Sequence, residues 1–319
     1  RLWVMSAAAD RPKVQLVIFG DSWARADGAY ITTWPELLGQ RLGWRTVNVA
    51  IPGSDSRMLQ RQCDLLMMVL EKHGLTLHED AWALIHTGGN DLMGSNPREM
   101  MAFVTAALGR LLCCGMAGCF RLPIMQDVAD NVQGLVSRLY GTLGVRNAIL
   151  VGMPLTASTP VVEHMLRLIL GTSPCISMVG RLTLRHLNSV HIGKLRKVRP
   201  DRSEASSQGE VRGDAFSLPG SPRGGARVVC LDEAEAIDAA TEPLRSDVAA
   251  ERLTFGGFES LWDDPVHPSQ RCHEAISNHM LQRFRLELES EHPADRQRGV
   301  SVSSLSRQPI LSNFTSSAV

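Results

Sequence analysis

An excess of charge of either sign is missing from this chain. Its 33 Lys plus Arg offset 33 Asp plus Glu over 319 residues, so no net field draws it toward nucleic acid, and no nucleic-acid partner is expected. Cysteine is sparse and odd in number. There are seven, with Cys113, Cys114 and Cys119 clustered, which does not fit the paired framework of a small disulfide scaffold and points to reduced thiols. No Cys-x-x-Cys pair, His-Glu-x-x-His helix or glycine-rich phosphate loop occurs, so a zinc site and a nucleotide cradle both lack their sequence evidence. His78-Glu79 and His273-Glu274 have no second histidine four places after the first.

Long hydrophobic runs are also scarce. The most apolar stretch, 101–120, carries Arg110 in its middle, which would cost about 2.5 to 3.5 kcal/mol at the centre of a bilayer. A buried globular helix is expected there, and no transmembrane segment. No apolar run of signal-peptide length precedes the first strand, so a cytoplasmic location is the expectation, with an upstream leader left open.

What the chain does contain is enough apolar residue to bury a full core: 44% is hydrophobic and 21% charged. Val14 to Phe19, Thr46 to Ala50, Ala81 to His86, Asn147 to Gly152 and Val228 to Leu231 are short β-rich runs, most of them closed by Gly or Pro. Trp34 to Leu42, Ser56 to Lys72, Asp127 to Leu143 and His273 to Leu288 carry apolar residues at three- and four-residue spacing, as helices covering a sheet do. This alternation predicts a parallel α/β sheet with crossover helices. The expected organisation is an N-terminal extension over 1–13, one domain over 14–288 and a disordered Ser-rich tail over 289–319. Within the domain, 161–226 reads as an insert whose second part, 199–226, is rich in Ser, Gly, Pro and charge and is expected to be disordered.

The chemistry sits at strand ends. Gly20-Asp21-Ser22 follows the first apolar run, so the Ser22 hydroxyl leaves a buried strand on the turn into a helical pattern, where it is exposed at the sheet edge. Asn48-Val49-Ala50-Ile51-Pro52-Gly53 ends the second run at a glycine whose N–H is free to face a cavity. Thr87-Gly88-Gly89-Asn90-Asp91 ends the third, leaving the Asn90 amide to donate. Ser22 N–H, Gly53 N–H and Asn90 therefore lie along one edge of a parallel sheet, as the donors of an oxyanion hole must. Far downstream, Asp264-Pro265-Val266-His267-Pro268 sets a carboxylate three residues before an imidazole on a loop stiffened by two prolines. Asp263 is a rival for the carboxylate role. Taken singly, each of these strings is an ordinary turn or helix cap. Together, and in this order, they supply a nucleophile, a base, its orienting carboxylate and three donors. Asp21 and Asp91 read as braces of their turns.

At these four blocks the chain resembles the SGNH hydrolases, also called GDSL esterases and lipases, named for the Ser, Gly, Asn and His that here are Ser22, Gly53, Asn90 and His267. The resemblance covers about 14–161 and 228–288. It departs at Gly-Asp-Ser-Trp, where the family has Leu, and in the long insert. It implies a flavodoxin-like three-layer α/β/α sandwich with a five-stranded parallel sheet. It also implies hydrolysis of carboxylic esters through an acyl-serine, with Ser22, Asp264 and His267 as catalytic triad and no metal or organic cofactor. Gly-x-Ser-x-Gly is absent, against the α/β-hydrolase elbow as the rival plan.

The expected partner is a small-molecule or lipid ester, an acetylated carbohydrate included. Between Glu163 and Asp201 no acidic residue occurs, while seven Lys and Arg punctuate an apolar segment. That segment reads either as a basic lid able to contact a lipid surface or as a core helix with a solvated face. The other function class is a catalytically silent binding or scaffold protein on the same fold. Oligomeric state is not written in the chain.

Overall fold

Strict alternation of side chains along five short strands decides the architecture. In the computed structural model, which describes residues 12–26, 31–93, 123–156, 158–160, 162–164, 174–199, 226–247, 261–264 and 267–291, the strands are β1 (Lys13–Phe19), β2 (Thr46–Asn48), β3 (Thr76–His86), β4 (Asn147–Val151) and β5 (Arg227–Leu231). All pairings are parallel, in the order β2-β1-β3-β4-β5.

The strands β1, β3, β4 and β5 feed two cores. Ala83 and Ile85 of β3 and Ala148 and Leu150 of β4 face one, while Trp82 and Leu84, and Ile149 and Val151, face the other. The pairing of β1 with β3 breaks register between Val14 and Leu16, whose partners are Leu77 and Trp82. Because both faces are buried, the strands read as continuous apolar runs rather than as half-polar ones.

Helices supply the outer layers. The first core is closed by α2 (Leu59–Lys72), α4 (Pro123–Leu143) and α5 (Pro174–Leu195), through Leu66, Val132, Leu135 and Leu187 among others. The second is closed by α1 (Trp34–Leu42), α6 (Glu233–Asp247) and α7 (Gln270–Glu291), through Leu38, Ile237, Ile276 and Phe284. The short α3 (Gly89–Met93) follows β3. This is the flavodoxin-like three-layer sandwich with five parallel strands. β1 and β3 lie at its topological switch point, where chain crossovers leave in opposite directions and open a crevice at the strand C-termini.

The structure differs from the expectations at three places. β3 starts at Thr76, not Ala81, because Thr76 and Leu77 pair with Lys13 and Val14 although Glu79 and Asp80 are exposed and break the apolar pattern. The residues after Ser22 form a hydrogen-bonded turn, with Ala24 and Arg25 N–H on Asp21 O at 3.1 and 3.0 Å. Among the described residues no helix begins there and the first starts at Trp34, where Thr33 N–H donates to Glu36 Oε2 at 3.1 Å and Pro35 occupies the opening turn. Helix α6 went unmarked because its buried positions Ala234, Ala236 and Ala240 give a faint apolar period around Ile237. Of the basic segment, α5 is a core helix, burying Leu184, Leu187, Ile192 and Leu195.

Expectations for 1–11, 101–120, 165–173, 200–225 and 292–319 concern chain outside the described residues. Among the described residues no helix is long and apolar enough to cross a membrane.

Candidate active site

The turn leaving β1 is held from three sides. Gly20 has φ +154°, and a Cβ there would lie 2.4 Å from the backbone oxygen of His86, so the close approach of the β1 and β3 ends requires glycine. Gln62, fully buried on α2, clamps the same residue: its Oε1 accepts Gly20 N–H and its Nε2 donates to Gly20 O, both at 2.8 Å. Asp21 Oδ1 accepts the Trp23 N–H at 3.0 Å. Between these fixed points Ser22 is half-buried at the crevice.

His267 arrives from the opposite end of the chain. Asp264 grips it twice, Oδ1 accepting the His267 backbone N–H at 2.7 Å and Oδ2 meeting ring Nδ1 at 2.6 Å. With the carboxylate ionised, Nδ1 carries the proton, and the lone pair of Nε2 faces the Ser22 hydroxyl at 2.9 Å. The loop is pinned by an isolated bridge between Trp262 and Pro268. Asp263 contributes its backbone N–H to His267 O at 2.9 Å, so the carboxylate facing the ring belongs to Asp264. Buried Trp262 sets its ring against Trp23, centroids 6.0 Å apart at 61°, which locks the loop onto the turn that bears Ser22.

The second and third strand ends close the same crevice. Ile51 N–H reaches Gly20 O at 3.0 Å, and Ser54 N–H returns to Ile51 O at 3.1 Å, which presents Gly53 at the surface with φ +73°. Among the described residues neither Ser22 N–H nor Gly53 N–H has an acceptor. Asn90 Nδ2 donates one hydrogen to Ser54 O at 2.9 Å, and among the described residues its second hydrogen has no acceptor. Ser54 Oγ in turn donates to Gly20 O at 3.0 Å and accepts from Gln62 Nε2 at 3.0 Å. Ser54 thus ties together the three stretches that carry Ser22, Gly53 and Asn90. Asp91 accepts the Ser56 N–H at 2.8 Å and the Ser56 hydroxyl at 2.5 Å, a brace as expected. Burial holds its carboxyl above the ordinary carboxylate value against those two bonds.

Beneath the crevice lies a buried polar chain that the motifs did not announce. Glu233 Oε2 meets His86 Nε2 at 2.6 Å, and His86 Nδ1 stands 3.2 Å from Asp21 Oδ1. Trp34 Nε1 donates to Glu233 Oε1 at 2.5 Å, and Trp34 N–H to His273 Nδ1 at 3.2 Å. Desolvation alone would pull the His86 pKa down, but the Glu233 and Asp21 carboxylates on either side hold it well above the ordinary histidine value. Burial, with the charges of His86 and His267, pushes His273 down to about 3, a neutral ring.

Beside Gly53 opens a cavity of about 360 Å³, lined by Ile51, Pro52, Gly53, Asp55, Arg57 and Met58 among others. Arg57 is tied to Asp55 at its mouth, Nε to Oδ2 at 2.9 Å. Among the described residues no group of three or more His, Cys, Asp or Glu side chains is arranged to hold a metal ion.

Sequence reasoning missed Gln62, Ser54, His86 and Glu233. The one available signal was a glutamine inside the apolar stripe of α2, between Leu59 and Leu66.

No family model and no curated protein matches the sequence. Solved structures do. The chain is similar in fold to structures described as lipases and esterases, one of them GDSL-like. One is described as a GDSL-like lipase from Parabacteroides merdae, with 13% identity over 87% of this chain and 98% of that one and a TM-score of 0.42. Another is a catalytic mutant of an acetylxylan esterase from Geobacillus stearothermophilus, with 14% identity over 86% and 95% and a TM-score of 0.43. A third is a psychrotrophic esterase from Pseudoalteromonas inhibited by monoethylphosphonate, with 15% identity over 86% and 98% and a TM-score of 0.37. Likeness this distant concerns chain path alone, so the chemistry has to be judged from the atoms of this site.

Proposed function

We propose that the protein is a serine esterase of the SGNH type, hydrolysing carboxylic esters through an acyl-serine. The observation that carries the reading is the continuous contact from Asp264 Oδ2 to His267 Nδ1 at 2.6 Å and from His267 Nε2 to Ser22 Oγ at 2.9 Å. In this reading His267 takes the Ser22 proton as the hydroxyl attacks the ester carbonyl, while Asp264 holds the tautomer and stabilises the imidazolium. Ser22 N–H, Gly53 N–H and Asn90 receive the negative charge that develops on the carbonyl oxygen. His267 then protonates the departing alcohol and activates water to release the acid.

The substrate class is an acyl ester, a lipid ester or an acetylated carbohydrate, and the cavity beside Gly53 is the place for one of its two arms. A panel of acetylated sugars, short p-nitrophenyl esters and lysophospholipids separates these, with a fluorophosphonate probe reporting the nucleophile. Ser22→Ala and His267→Ala are expected to abolish turnover and probe labelling while the proteins remain folded. Full activity in either folded variant overturns the assignment. A wild-type protein that turns over no ester and takes no probe supports the catalytically silent binding module instead.

A further inference from the structure

The triad leaves a second, deeper set of ionisable side chains unused. Asp21, His86 and Glu233 are 2, 1 and 0% exposed, and they sit at the C-terminal ends of β1, β3 and β5. We infer that Glu233 and His86 are positioning residues for the hydrolysis, forming with Asp21 a buried carboxylate–imidazole–carboxylate chain that fixes the turn bearing Ser22. This rests on the esterase reading above.

Three observations carry it. The chain ends on the residue before the nucleophile, and Asp21 Oδ1, the atom that faces His86, also accepts the N–H of the residue after it, Trp23. Ser22 is therefore bracketed by one carboxylate that stands 3.2 Å from His86 Nδ1, a charge contact at a ring nitrogen with no aligned hydrogen bond among the described residues. His86 is in turn over-determined: Glu233 holds Nε2, the Trp23 ring stacks on it at 6.2 Å and 10°, and the Trp34 ring meets its edge at 6.2 Å and 69°. Finally, Glu233 is locked by the Trp34 indole N–H, so the ring cannot shift without breaking contacts on α1 and α6.

Stability alone does not account for this arrangement. Desolvating three ionisable groups is costly, and well-packed apolar side chains of the same volume would hold these strand ends at least as firmly. What apolar groups could not do is set the direction of the Asp21 carboxylate, and through it the Ser22–Trp23 peptide. Burial pushes the Glu233 carboxyl up, against the pull of the adjacent His86 ring.

The test is a double-mutant cycle on ester hydrolysis in the full chain, with folding followed by circular dichroism. Glu233→Gln keeps the shape and the Trp34 contact but removes the charge; Asp21→Asn keeps an acceptor for Trp23. Each is expected to lower kcat by about 10- to 100-fold, as small misplacements of a nucleophile do, with KM within about twofold. The double variant is expected to be no worse than the poorer single variant, because the two act through one ring. Trp34→Phe, which deletes only the indole donor, is expected to lower kcat in the same sense and serves if Glu233→Gln does not fold. Unchanged kcat in folded Glu233→Gln or Trp34→Phe, or losses that multiply in the double variant, overturn the chain while leaving the esterase intact. A wild-type protein inert to both esters and the fluorophosphonate overturns both proposals.

Discussion

Gln62 and Gly20 form a closed pair: the side-chain amide of one takes up both backbone polar groups of the other, at 2.8 Å each way. The glycine lies buried two residues before Ser22. Gln62→Leu would strand the buried Gly20 N–H, at about 1 to 3 kcal/mol, while the Gly20 carbonyl keeps Ile51 N–H and Ser54 Oγ as donors. Urea unfolding is expected to show a loss of that size, and ester kinetics a fall in kcat in the molecules that remain folded. A stability within about 0.5 kcal/mol of wild type would mean that water replaces the amide.

Gly20 and Gly53 should respond differently to alanine. At Gly20 the added carbon meets the His86 carbonyl at 2.4 Å, and backbone cannot yield without parting β1 from β3, so a loss at the upper end of about 1 to 3 kcal/mol is expected. At Gly53 no atom lies within 4 Å, and only the left-handed backbone resists, at about 1 to 2 kcal/mol. Thermal melts of the two variants should rank Gly20→Ala as the less stable. The reverse order would contradict the close approach.

Asn90→Ala removes a proposed donor to the oxyanion, and kcat is expected to fall by about 10²- to 10³-fold with KM little changed. Because the same amide also holds Ser54 O at 2.9 Å, circular dichroism and melting should accompany the kinetics. A change confined to KM removes Asn90 from the hole and leaves it a tether.

His191 predicts an acid sensitivity. It is fully buried on α5, neither ring nitrogen has a hydrogen-bond partner among the described residues, and burial, with Lys194 second, lowers its pKa from 6.5 to about 4. The unfolded chain binds that proton more readily, so its contribution to stability is complete above pH 6.5 and is lost as pH falls toward 4. The loss is roughly 3 kcal/mol for a shift of this size. His191→Met should shrink the difference between urea midpoints measured at pH 7.5 and pH 5, part of which belongs to His273. An unchanged difference would place the sensitivity elsewhere.

Much of the sheet was readable because its residues announce themselves locally. Each of the five runs holds enough Val, Ile, Leu or Ala to be buried on both faces, and Ser22, Gly53, Asn90, Asp264 and His267 fall at strand ends or on a proline-stiffened loop. Helix α6 was not readable, since alanines bury without marking a period, and neither were the polar strand start at Thr76 and the short turn after Ser22.

The sequence by itself determined the order of strands and helices and the residue types waiting at each strand end, because hydrogen-bonding geometry and side-chain periodicity are local. Only the tertiary structure decided which polar groups meet: His267 and Ser22 lie 245 positions apart, Glu233 and His86 lie 147 apart, and Gln62 reaches Gly20 from a helix that reads as merely apolar. Those partnerships arise when packing of the two cores brings strand ends together and excludes water. Each buried donor and charge must then find whatever partner lies within about 3 Å, a condition that no local pattern records.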